Sequence, residues 1–172
     1  MIFLPKRLRQ NYYLWGILIL FMVAVVAWYR IDIYPPIPKT SFILLSGKKI
    51  ETSELHGKVA VIHFWSTSCA SCVKEMPRLI AFHEKFKQQG VEMIAIAMSY
   101  DPPMYVMNFA QTRQLPFKVA MDSTGSAAQA FGPVRLTPTT FVINKHGKMI
   151  QHYIGEPDWS HLQQTVQQAL GQ

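Results

Sequence analysis

Phe64-Trp65-Ser66-Thr67-Ser68-Cys69-Ala70-Ser71-Cys72-Val73-Lys74-Glu75-Met76-Pro77 is the stretch from which the chain is best read. It holds both cysteines of the protein, three positions apart. An apolar run, Val59-Ala60-Val61-Ile62, leads into it and predicts a strand ending near Trp65. Met76, Leu79, Ile80 and Phe86 follow at helical spacing. Strand, short turn, dithiol and helix is an arrangement in which Cys-x-x-Cys works as a redox centre. Two cysteines make no multi-disulfide scaffold and do not by themselves fill a four-ligand zinc site. A bridge between them closes too short a loop to add much stability. The pair therefore calls for a chemical explanation, with redox chemistry favoured over metal binding.

The charge distribution narrows the partners. The 172-residue chain carries 17 basic and 10 acidic residues, a net +7. Lys6, Arg7, Arg9 and Arg30 all precede the first acid, Asp32, so 17 less 4 leaves 13 basic residues against 10 acids, or +3, from residue 31 onward. No basic stripe with interleaved aromatics is present, which argues against a nucleic-acid partner.

Residues 1–11 form a basic segment that is expected to stay cytoplasmic. Tyr12–Tyr29 is an uncharged run of 18 residues with Tyr12, Tyr13 and Trp15 at one end and Trp28 and Tyr29 at the other. At about 1.5 Å per residue it approaches the ~30 Å of a bilayer core. We read it as a transmembrane anchor, in preference to a cleaved signal peptide ending near Val25-Val26-Ala27. Either reading exports the remainder to an oxidising compartment. Residues 30–39, with Pro35, Pro36 and Pro38, read as a stiff linker, and 40–172 as one domain.

Within that domain, Phe42–Leu45 and Lys49–Ile50 read as a hairpin about Ser46-Gly47. Val59–Trp65 and Val91–Met98 are apolar strands, and Ala70–Gln89 is a helix stopped by Gly90. Asp101-Pro102-Pro103 reads as a helix start for Met104–Gln114. Phe117–Met121 is a short strand and Gly125–Phe131 a short helix. Thr139–Ile143 and Lys148–Ile154 form a hairpin, and Pro157 opens a final helix with Trp159, Leu162, Val166 and Leu170 on its inner face. Alternating strands and helices imply an α/β sheet covered on both faces.

The attacking species in disulfide exchange is a thiolate. Cys69 falls at the predicted helix N-terminus, where free N–H groups and the helix dipole favour negative charge. That makes Cys69 the exposed nucleophile and Cys72, one turn further in, the resolving thiol. His63 stands mid-strand, and its residue type suits either a proton relay or a buried hydrogen-bonded core position. The remaining histidines form no metal-ligand spacing, and the dispersed methionines read as core.

Trp65, four residues before Cys69, and Pro77, five after Cys72, resemble the W-x-x-x-C pattern and helix proline of the thioredoxin superfamily. Leu136-Thr137-Pro138-Thr139-Thr140-Phe141 is similar to the loop whose cis-proline packs against the dithiol in that family. The resemblance implies a cis Thr137–Pro138 bond. A helix and strand inserted over Pro103–Met121, together with W-x-x-x-C-x-x-C-x-x-E-M-P and the anchor, resemble the TlpA/ResA type of membrane-tethered thiol–disulfide oxidoreductase. The implied architecture is a thioredoxin-like α/β fold with a central αβ insertion, preceded by one N-terminal transmembrane helix.

By this resemblance, Glu75 helps shape the site and would favour a protonated cysteine, against a plain reading as a solvated first-turn residue. His63 takes the strand position of a buried proton-shuttling acid. Trp65 would shield the thiols and contact substrate, against a plain packing role. The dipeptide Ala70-Ser71 departs from the proline-bearing or charged dipeptides of relatives, which leaves the redox direction open. The resemblance implies protein thiol or disulfide substrates on the outer, periplasmic side of the cytoplasmic membrane, such as apocytochrome c thiols or a copper-handling protein. A membrane-embedded thiol donor would supply electrons, and the Cys69–Cys72 disulfide would be the redox centre with no other cofactor and no metal. A general dithiol oxidant, a Cu(I) carrier using both thiolates, and a peroxidase are the alternatives.

Overall fold

The computed structural model describes residues 6–31 and 34–171, with side chains described from Leu14 to Val26 within the first segment and throughout the second. Two compact units divide at Pro35/Pro36. The first contains helix α1, Lys6–Ile31. Its side chains from Leu14 to Val26 are all exposed. The aromatic ends expected for a span, Tyr12, Tyr13, Trp28 and Tyr29, lie outside the residues whose side chains are described, as do Lys6, Arg7, Arg9 and Arg30. Among the described residues no helix is long and apolar enough to cross a membrane.

The second unit is built on strands β1 (Ser41–Leu44), β2 (Lys49–Glu51) and β3 (Ala60–Trp65), helix α2 (Ala70–Phe86), strand β4 (Glu92–Ala97), helix α3 (Pro103–Thr112), strand β5 (Lys118–Met121), helix α4 (Ser126–Ala130), the hairpin β6 (Thr139–Ile143) and β7 (Met149–Ile154), and helix α5 (Trp159–Leu170). The strands form one seven-stranded sheet in the order β2-β1-β5-β4-β3-β6-β7. β3, β4 and β5 are parallel, while β1 and β6, the inner strands of the two flanking hairpins, pair antiparallel with β5 and β3.

Every residue of β3 is buried, because helices cover one face and loops with α4 cover the other. Strand alternation sends Val61, His63 and Trp65 to the α2 face and Ala60, Ile62 and Phe64 to the opposite face. Helix α2 meets the first set with Cys72, Glu75, Met76, Leu79, Phe82 and Phe86, a single stripe at three- and four-residue spacing. Burying a side chain the size of Leu79 is worth roughly 1.5–3 kcal/mol. Pro77 lies inside α2 and offers no N–H to the preceding turn. The helix gives way to a 3-10 turn, Lys87–Gln89, and stops at Gly90, whose φ of 80° suits glycine. The inserted helix and strand expected between Pro103 and Met121 are present as α3 and β5.

Two boundaries differ from expectation. The proline-rich linker contributes its second half to the domain: the Ile37 N–H donates to the Gly147 carbonyl at 2.8 Å, and Ile37 sits in the core beside Phe42 and Leu55. Asp158, not Pro157, caps α5, its carboxylate accepting from the N–H groups of Ser160 and His161. The helix start expected at Asp101-Pro102-Pro103 is observed, with α3 beginning at Pro103 and Pro102 at the N-cap without a side-chain bond.

Candidate active site

β3, an interior strand, delivers the chain to the carboxyl end of the parallel strands, and residues 66–69 turn it into α2. Asp101, 2 % exposed, holds this turn from the end of β4. The Thr67 N–H donates to its Oδ2 at 2.6 Å and the Thr67 hydroxyl to its Oδ1 at 2.5 Å. Within the turn, Ser66 Oγ accepts from the Ser68 N–H at 3.2 Å. Asp101 was missed as a site residue because Asp-Pro-Pro has the composition of a helix start. Its actual partner, Thr67, lies 34 positions away.

Cys69 is the N-cap residue of α2, and its sulfur accepts from the Cys72 N–H at 3.2 Å. Sulfur therefore occupies the place where a capping oxygen usually sits, at the positive end of the helix. Cys69 and Cys72 form a disulfide with Cα atoms 5.3 Å apart. Cys69 is partly exposed and Cys72 wholly buried, as expected of an attacking and a resolving sulfur. The Ser71 hydroxyl lies 3.3 Å from Cys69 Sγ, so the unusual Ala70-Ser71 dipeptide places a donor beside the reactive sulfur. Among the described residues no third His, Cys, Asp or Glu joins the pair in a group suited to a metal ion.

The Thr137–Pro138 bond is cis, as the sequence resemblance implies. It brings the Thr137 carbonyl oxygen to 3.4 Å from Cys69 Sγ, where it would accept from the thiol after reduction. Tyr100 Oη lies 3.5 Å from Thr137 Oγ1, and Tyr100 and Leu136 stand exposed beside the loop.

Trp65 is 0 % exposed and packs on Phe109 with ring centroids 5.1 Å apart. Direct substrate contact by Trp65 is thus corrected to a packing position at the end of β3. Glu75 is 1 % exposed, which excludes the alternative reading as a solvated first-turn residue. Its Oε1 lies 3.3 Å from His63 Nε2, and His63 Nδ1 lies 3.0 Å from Thr140 Oγ1.

Burial, reinforced by the negative charge of Glu156, pushes Glu75 up to about 8. Burial pulls His63 down to about 3. At neutral pH the pair is therefore a protonated carboxyl group facing a neutral imidazole, since two isolated charges here would lose their hydration. The helical stripe holds a signal for this: Glu75 is three residues after Cys72 and four before Leu79, both buried.

Residues 35–170 match the redoxin family. The thiol–disulfide oxidoreductase ResA of Bacillus thuringiensis subsp. konkukian is 38 % identical over 122 residues, covering 71 % of this chain and 69 % of that protein. A putative thioredoxin from Neisseria meningitidis superposes with a TM-score of 0.72 at 36 % identity, covering 77 % of this chain and 87 % of that one. A putative thiol:disulfide interchange protein DsbE from Chlorobium tepidum does so at 0.71 with 27 % identity, covering 81 % of this chain and 99 % of that one. The site holds a partly exposed sulfur that caps a helix, joined to a buried partner and faced by a cis-proline loop, and the chain belongs to the redoxin family as a TlpA/ResA-type thiol–disulfide oxidoreductase.

Proposed function

We propose that this oxidoreductase reduces disulfides of exported proteins, apocytochrome c or copper-protein cysteines being the candidate substrates, from a membrane-anchored position outside the cytoplasm. The observation that carries the reading is the Cys69–Cys72 pair itself, one sulfur at the surface on a helix N-terminus and the other buried behind it. The reduced Cys69 thiolate attacks a substrate disulfide, forming a mixed disulfide and expelling one substrate thiolate. Cys72 then attacks Cys69 Sγ, closing the Cys69–Cys72 bond and releasing the second substrate thiol. Two electrons pass to the substrate and the disulfide is the only redox group the cycle uses. A membrane thiol donor restores the dithiol. The likeness to ResA, a thiol–disulfide oxidoreductase by name, supports exchange with protein disulfides.

Glu75 is the acid for the return step. Protonated at neutral pH, it supplies the proton when the Cys72 sulfur leaves, and its conjugate base takes the proton back when Cys72 attacks. His63 lies 3.3 Å from that carboxyl without a hydrogen bond to it, and Thr137 and Pro138 form the wall against which the mixed disulfide lies. Trp65 supports the turn from beneath. The uncharged run Tyr12–Tyr29, whose ends lie outside the described side chains, supports the anchor with the basic flank left in the cytoplasm.

The test is thiol trapping with a disulfide-bonded protein substrate. Cys69→Ser abolishes exchange and Cys72→Ser accumulates a mixed disulfide through Cys69. Undiminished exchange in Cys69→Ser sinks the mechanism. A reduction potential near −270 mV supports the reductant, and one near −120 mV points to a dithiol oxidant instead.

A further inference from the structure

The lysines of the second unit are segregated to one end of its sheet. Ten lysines follow Pro35, and Lys74, the fifth residue of α2, is the one at the disulfide end. Lys58 precedes β3, Lys118 opens β5, and both approach Glu92 at the start of the parallel strand β4, at 3.7 and 2.8 Å. The β6–β7 turn, with Lys145 and Lys148, lies at the same end, because Ile143 pairs with Ala60. The β1–β2 turn, with Lys48 and Lys49, lies there too, because the Leu45 N–H donates to the Val119 carbonyl. Helix α2 starts at the disulfide end and returns to the start of β4, carrying Lys85 and Lys87 to this end. Lys39 shares a cleft of about 800 Å³ with Lys148, His56 and His146.

Counting Glu51, Glu54, Glu84 and Glu92 against these nine lysines leaves a surplus of five positive charges. The disulfide end carries no such surplus: Lys74, Arg78 and Arg135 are offset there by Glu156 and Asp158, and Arg78 pairs with Glu156 at 3.0 Å. The chain also enters the domain at the basic end. Pro36 bridges Lys148, and the Ile37 N–H bonds to Gly147. Whatever precedes Pro36 therefore arrives where the lysines are, while Cys69 lies beyond the far end of β3, roughly 20 Å away for a six-residue strand.

We infer that this lysine-rich end is a docking surface for an anionic phospholipid membrane, which holds the domain with the disulfide turned away from the bilayer. The inference rests on the anchored reading of the N-terminal segment. Surface lysines near an anionic leaflet are attracted within about a Debye length, ~10 Å at 0.1 M salt, and a tether entering among them keeps them within that range. Released by salt, the domain turns freely on its tether.

The full-length chain is placed in nanodiscs of phosphatidylcholine alone or with phosphatidylglycerol added, and each lysine is pulse-acetylated, Lys74 serving as the internal reference. Acetylation of Lys48, Lys49 and Lys145 slows roughly threefold or more in the anionic discs at low salt. The slowing disappears in 0.5 M salt (about 4 Å of screening), and Lys74 does not change. A variant carrying Lys39→Gln, Lys48→Gln and Lys148→Gln loses the slowing at Lys49 and Lys145, with an unchanged Tm as its folding control. Incorporation into both discs with equal acetylation in each overturns the docking surface and leaves the anchor standing. A chain that enters neither disc overturns the anchor and the inference with it.

Discussion

Nε2 of His63 and Oε1 of Glu75 stand 3.3 Å apart, sealed from solvent between β3 and α2, and Glu75 is one helical turn beyond the resolving Cys72. The enclosure drives both groups to their neutral forms, raising the carboxyl to about 8 and lowering the imidazole to about 3. The folded state therefore holds a proton on Glu75 between about 4.5 and 8, where the unfolded chain has released it. This contribution to stability falls as pH rises through that window. His63 has the opposite sign: the unfolded chain binds a proton between about 3 and 6.5 that the folded state refuses, so stability falls as pH drops through that range.

Glu75→Gln is expected to flatten the loss of stability between pH 6.5 and 8, where His63 no longer opposes it. Urea unfolding at half-unit pH intervals checks this. A slope unchanged from the parent would show that the carboxyl ionises freely in the folded protein. The same variant should slow re-reduction of the disulfide by a dithiol at pH 7 while leaving the first attack by Cys69 near its parent rate.

Ser71→Ala removes the hydroxyl that lies 3.3 Å from Cys69 Sγ. With one fewer donor to the thiolate, alkylation of reduced Cys69 by iodoacetamide at pH 7 should slow by roughly two- to fivefold. The pH profile of the reaction should shift upward. Equal profiles would mean that the Cys72 N–H and the helix end alone stabilise the thiolate.

Asp101→Ala leaves the Thr67 N–H and hydroxyl without the carboxylate that holds them. Hydrogen bonds to a charged acceptor are worth about 1.5–3 kcal/mol each, and the two are coupled, so a loss of about 2–4 kcal/mol is expected from denaturant midpoints. Thr67→Val in the Asp101→Ala background should cost less than Thr67→Val alone. Additive losses would separate the two residues energetically.

Gly147 has φ +68°, and a Cβ there would stand 2.5 Å from Cε1 of His56. Gly147→Ala should cost about 1–2 kcal/mol through the left-handed backbone. Adding His56→Ala should recover only the collision. Full recovery would show that backbone conformation contributes nothing at this turn.

Much of the fold could be read from the chain because its signals are local. The strand before Cys69, the helix after it, Gly90 and the closing hairpin all depend on spacings of a few residues. The redox assignment could be read for the same reason, since Cys-x-x-Cys at a helix start carries its chemistry in seven or eight positions. Pro138 was reachable through resemblance to a known loop, but its 3.4 Å approach from Thr137 to Cys69 spans 68 positions and is set by β3 pairing with β6.

The sequence by itself determined a strand-turn-helix dithiol and a helix and strand over Pro103–Met121 through short-range periodicity, and resemblance to a known family marked that pair as an insertion. Only the tertiary structure decided that Glu75 is buried against His63, that Asp101 holds Thr67, and that Trp65 lies beneath the surface. It also decided that Ile37 belongs to the core and that nearly all the domain's lysines gather where the chain enters. Each of these depends on which elements meet across the sheet. Burial and charge are properties of that meeting, because a carboxyl or an ammonium group takes its energy from the neighbours that replace water around it.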